Sequence, residues 1–145
     1  MMKNFKIISG ILLLIVESLF SSCGVNQEKS AQLLDQGVEY YYHAEYKKAY
    51  SLFEKAIDAD EENFEAWFWM GNYFENRHDH IRSVECYNKA IELNSSYADA
   101  FANRARAKKN NHDNTGACAD WRKAAKLGKP NLDDNLKWCK RNKIK

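Results

Sequence analysis

Between residues 30 and 131 one pattern of large and small side chains returns every 34 positions, with no insertion needed. Leu33, Gly37, Tyr40, Ala49, Phe53 and Ala56 come back as Trp67, Gly71, Phe74, Ser83, Tyr87 and Ala90. They come back again, more loosely, as Phe101, Ala105, Lys108, Ala117, Trp121 and Ala124. A fixed period of this length marks a supersecondary unit that cannot bury its apolar face alone and must stack on its neighbours. The residues inside the unit are Ala, Lys, Glu, Leu and aromatics, with few Val/Ile/Thr runs and one proline in the chain, so each unit is helical. At 145 residues there is room for a single stack. A hydrophobic fraction of 45% excludes a disordered polymer.

The spacing explains itself physically. Numbering each unit from 1, small residues at positions 8 and 20 let two antiparallel helices approach closely, and an aromatic at 24 fills the space beside them. Positions 21 and 28 share one face two turns apart (Tyr50/Ile57, Val84/Ile91, Cys118/Ala125), which each second helix can bury against the next unit. Position 16 is Glu45, Asp79 and Asp113, a negative group for a helix N-terminus. Asn94 and Gly128 fall where a left-handed cap is expected. Gln36, Arg104 and Lys108 put polar groups at apolar sites; the basic stems can lie along a helix with their charges in water.

This pattern resembles the tetratricopeptide repeat. The resemblance implies an all-α fold, a right-handed α-solenoid of three helix-turn-helix units. These are residues 30–63, 64–97 and 98–131, followed by a capping helix and tail over 132–145. It also implies that partners lie along the concave face of the first helices, at Leu34, Val38, Tyr41, Tyr42, Phe68, Trp69, Asn72, Asn103, Arg106 and Lys109. Tyr41, Tyr42, Phe68, Trp69 and Arg106 are the expected anchors, since aromatics and Arg dominate interface energetics; some of these rings can equally be stacking core. In the subgroup that holds a chaperone's terminal carboxylate, Lys and Asn occupy the positions of Leu34 and Val38. Asn occupies that of Trp69, and Lys and Arg those of Asp99 and Asn103. None matches here, so that specificity is not expected.

Residues 1–22 stand apart: a start containing Lys3 and Lys6, an apolar run of ten over Ile7–Val16, then Ser21–Ser22 before Cys23. The run is too short to span a membrane and describes an export signal. Ser21-Ser22-Cys23 resembles a bacterial lipobox, although Phe20 stands where that motif usually has leucine. The resemblance implies lipidation of Cys23, a tether over 23–29, and anchoring at the cell envelope. Gly24 resembles lipoproteins sent on to an outer membrane. An ordinary cleaved signal with an incidental cysteine is the other reading. Residues 23–97 hold 7 basic against 14 acidic residues, and 98–145 hold 13 against 5. The chain is therefore acidic at one end and basic at the other, a field that steers encounters rather than sets fold.

In an oxidising compartment two of Cys86, Cys118 and Cys139 will tend to pair. Cys118 lies on the face that the closing helix covers, Cys139 lies on that helix, and the run Ala117–Trp121 resembles the last repeat of exported proteins of this type. A Cys118–Cys139 disulfide is expected, with two buried free thiols as the alternative. Closing a loop of about 20 residues stabilises by roughly 3 kcal/mol on the chain-entropy estimate. His78-Asp79-His80 lacks a third ligand at helical spacing, and no phosphate loop or nucleophile motif occurs. The chain reads as a non-enzymatic, lipid-anchored scaffold for a protein or peptide, with no cofactor, metal, small-molecule substrate or nucleic acid. The alternatives are a permanent subunit of an envelope assembly and a thiol- or metal-dependent enzyme through Cys86 or the His78/His80 turn.

Overall fold

The computed structural model describes residues 26–144. The expected leader (1–22) and Cys23 lie outside the described residues. Seven helices and no strand occur among those described: α1 (residues 26–42), α2 (Tyr46–Ala59), α3 (Phe64–Asn76), α4 (His80–Leu93), α5 (Ala98–Asn110), α6 (Asn114–Lys126) and α7 (Asp133–Arg141). The architecture is an all-α helical repeat solenoid. Helix α1 already runs through residues 26–29, so that part of the polar stretch expected as a tether is helical. None of the described helices is long and apolar enough to cross a membrane.

Each helix pair closes on the contact that the small residues allow. A Cβ placed on Gly37 would come within 2.6 Å of the Phe53 ring, and one on Gly71 within 2.6 Å of the Tyr87 ring. Phe53, Tyr87, Ala49, Ala56, Ala90, Ala105 and Ala117 are sealed from solvent. Three apolar clusters follow, one across units one and two, one across two and three, and one joining unit three to α7. Ser30 ties α1 in: its hydroxyl donates to the Ala56 carbonyl (2.7 Å) and accepts from Asn63 Nδ2 (2.9 Å).

The turns repeat as strictly as the helices. Ala44, His78 and His112, all at position 15, have φ near +60°. That left-handed residue turns the chain from first to second helix. The next residue caps in units two and three: Asp79 accepts from Arg82 N (3.1 Å) and Asp113 from Gly116 N (2.8 Å). Glu45 makes no cap bond and pairs with Lys48 instead. Gly128 is left-handed as expected (φ 88°), but Asn94 is not. Its backbone is extended, and its Oδ1 accepts from Ser96 N, as Asp60 Oδ1 does from Glu62 N at the same position of unit one. These Asx turns make the corner without a positive φ.

Unit three corrects one expectation. Arg104 and Lys108 do not hold their charges in water. Arg104 grips Asp120 with two nitrogens (2.8 and 2.6 Å) and donates to Asn88, while Lys108 Nζ lies 2.9 Å from Asp120. Asp120 is 5% exposed. Two cations at apolar positions of α5 thus share one buried carboxylate on α6, which leaves the cluster a net positive charge, with bidentate geometry that favours Arg. Asp120→Ala, which strands both cations, should lower the unfolding free energy in urea by ~3 kcal/mol. The triple change Arg104→Met/Lys108→Leu/Asp120→Ala should recover most of that loss.

Candidate functional site: the concave face

Helices α1, α3 and α5 line one side of the stack, and their facing side chains form a continuous surface. At the α1 end four rings meet. Tyr41 lies edge-on to Trp69 (5.5 Å between centroids), Tyr42 edge-on to Trp69 (5.7 Å), and Phe53 stacks on Trp69 from beneath (6.3 Å). Tyr42 is 74% exposed, the most open large apolar side chain among those described. Tyr41 is half-buried; burial pushes its hydroxyl above the ordinary tyrosine pKa, so it stays protonated and donates to the Asn72 carbonyl (3.2 Å).

Amides follow the rings. Asn72 Oδ1 accepts from Tyr87 Oη (2.7 Å) and from Asn103 Nδ2 (2.8 Å), bridging α3, α4 and α5. Both acceptances fix the Asn72 amide with its NH₂ as the remaining donor group. Beyond them lies a charged stretch centred on Glu75. Its carboxylate accepts from Asn110 Nδ2 (2.8 Å), lies 2.9 Å from His80 Nδ1 and faces Arg106 Nε at 3.7 Å. Glu75, not among the expected anchors, therefore lies at the centre of the contacts that reach Arg106. The signal was available: an acid at position 12 of unit two faces a basic position 9 and an amide at position 13 of unit three.

The expected lining thus divides. Tyr41, Tyr42, Trp69, Asn72, Asn103 and Arg106 come together on one surface, with Val38 partly buried against the rings. Leu34 and Phe68 are corrections, at 5% and 8% exposed. Leu34 fills the core between units one and two, and Phe68 packs on Tyr87 and Tyr97. Both sit in the interhelical seam, one turn before the half-buried Val38 and Asn72. Lys109 lies over the Trp138 ring (4.5 Å) and near Trp121 (5.8 Å), so it joins unit three to α7. Asp99 pairs with Lys129.

The first repeat domain of Spaghetti (RPAP3), bound to an HSP90 peptide SRMEEVD, superposes with a TM-score of 0.76 at 21% identity, over 82% of this chain and 96% of that one. The Arabidopsis OM64 TPR domain gives 0.72 at 20% identity, over 81% and 95%. The N-terminal domain of stress-induced protein-1 from C. elegans gives 0.71 at 18%, over 79% and 97%. The fold is that of the tetratricopeptide repeat. No protein-family profile and no curated protein matches the sequence.

Within this tetratricopeptide stack the remaining chemistry is sparse. Among the described residues no group of His, Cys, Asp and Glu is arranged to hold a metal ion. His78 and His80 face each other edge-on at 6.1 Å, and His80 is engaged with Glu75. Cys118 and Cys139 are joined by a disulfide with Cα atoms 5.8 Å apart, tying α6 to α7. Cys86 is free and buried; burial pushes its thiol up to about 12, so it is protonated and unreactive near neutrality. The unreduced chain, once denatured, should show the Cys86 thiol and that of Cys23 where unmodified. Reduction should release two more; their appearance without reductant would disprove the bridge.

Proposed function

We propose that this chain is a lipid-anchored scaffold at the bacterial cell envelope that holds a peptide or protein partner in its concave groove. The observation that carries the reading is the open aromatic corner of Tyr41, Tyr42 and Trp69. It leads without interruption into the Asn72/Asn103 amides and then to Arg106. Exposed rings on a rigid helical scaffold provide large contact area at low ordering cost, and the neighbouring amide groups can meet a peptide backbone. The repeat fold supports the same reading, since the RPAP3 domain with this fold holds a peptide. The anchor, the export and the outer-membrane destination rest on the Lys3/Lys6 start, the apolar run and Cys23-Gly24, and belong to this proposal.

The groove is not furnished for a chaperone's terminal carboxylate. Of the positions that would grip a terminal carboxylate, Leu34 is core, Val38 is apolar and Trp69 is stacked. Asp99 carries the wrong charge and Asn103 is committed to Asn72. Calorimetry with SRMEEVD should therefore show no binding at concentrations where an RPAP3 domain is saturated; tight binding would refute the assignment of these positions. The partner itself is reached by photocrosslinking in intact cells. A photoreactive residue at Tyr42 should capture a protein that the same residue at Glu54, on the opposite surface, does not. Identical captures from both positions would remove the groove as the binding site.

A further inference from the structure

Helix α7 closes the apolar face of unit three, yet its outer surface carries more positive charge than a cap requires. A hollow of about 610 Å³ is walled by Arg122, Lys137, Lys140 and Lys143 against one acid, Asp133, with Leu136 and Ile144 completing the lining. A second hollow of about 510 Å³ adjoins it and shares Lys137 and Lys140. Among the described residues Lys140, Arg141 and Lys143 form no ion pair, and Lys137 reaches Asp134 only at 3.4 Å, both side chains being open to water. A pair so exposed contributes little. The Cys118–Cys139 disulfide holds this surface on α6, so a ligand need not order it.

The chain itself contains the complementary feature. At the corner between α2 and α3, residues 58–65 hold five carboxylates, on Asp58, Asp60, Glu61, Glu62 and Glu65. None forms an ion pair with a described residue. The two features cannot neutralise each other within one molecule: α2 packs on α3, whereas α7 packs on unit three, against α6 and beneath Lys109 of α5. We propose that the basic hollow of α7 docks the acidic α2–α3 corner of a second copy of this chain. Opposite patches on different parts of one molecule make a heterologous contact, which either runs head to tail or closes as a reciprocal pair. Long-range attraction between them extends to about 30 Å at low salt and about 8 Å at physiological ionic strength.

Sedimentation velocity of the full chain tests this. At low ionic strength the sedimentation coefficient should rise with concentration, and high salt should abolish the rise. Lys137→Glu/Lys140→Glu and Glu61→Lys/Glu62→Lys, all at exposed positions, should each lose it while keeping the native helical circular dichroism. An equimolar mixture of the two variants should regain it, because each restores a complementary patch to the other. The proposal is overturned by a native chain whose coefficient is constant at low salt. It is equally overturned by association that survives salt and both variants, as contact through the apolar residues 7–16 would, or by variants that fail to reassociate on mixing.

Discussion

The closeness of two helices within each unit is the constraint on which the rest of the molecule depends. Gly37 and Gly71 sit where any side chain would strike the Phe53 or Tyr87 ring, and those rings are sealed from solvent. Once each pair is held at that separation, the second helix presents its apolar face to the following unit and the first helices come side by side. The concave surface is a consequence of this packing. Its residues are spaced by the same 34-residue period as the core, because each groove position lies one or two residues from a framework position.

Unit three reaches the same shape by different chemistry. Its first helix has one large apolar residue, Phe101, and is otherwise rich in Ala, Arg and Lys. Lys108 of the Arg104–Asp120–Lys108 cluster stands where the other units have Tyr40 and Phe74, and a disulfide ties α6 to α7. A buried ion cluster of this kind is weak evidence for stability, since desolvation offsets much of its attraction. Its geometry does fix one register between α5 and α6. The disulfide acts on the unfolded chain by limiting its freedom. Together they let a basic, alanine-rich helix pair end the stack.

The fold was legible because it is encoded redundantly. Every framework position recurs three times, and a departure such as Lys108 is outvoted by Tyr40 and Phe74. The groove was less legible because its residues carry no such redundancy. Leu34 and Phe68 occupy groove positions by count, yet the seam between units takes them in. Lys109 occupies one too, and its ammonium lies over Trp138 of α7. Side chains of that kind are placed by neighbours on other helices, Tyr87 and Tyr97 for Phe68 and Trp138 for Lys109, which a periodic pattern cannot show. Arg104 and Asp120 were legible in principle as opposite charges on two facing helices, sixteen residues apart.

Packing and recognition therefore occupy separate, interleaved sets of residues, and this separation is the central claim. It is tested by one variant that changes only exposed members of the second set, Tyr42→Ser/Arg106→Gln, measured for both urea unfolding and recovery of the bound partner from cells. The account predicts an unfolding free energy within about 1 kcal/mol of the native chain, since surface changes away from core features have small effects, together with loss of the partner. Retention of the partner, or a loss of stability that accounts for its absence, would contradict it.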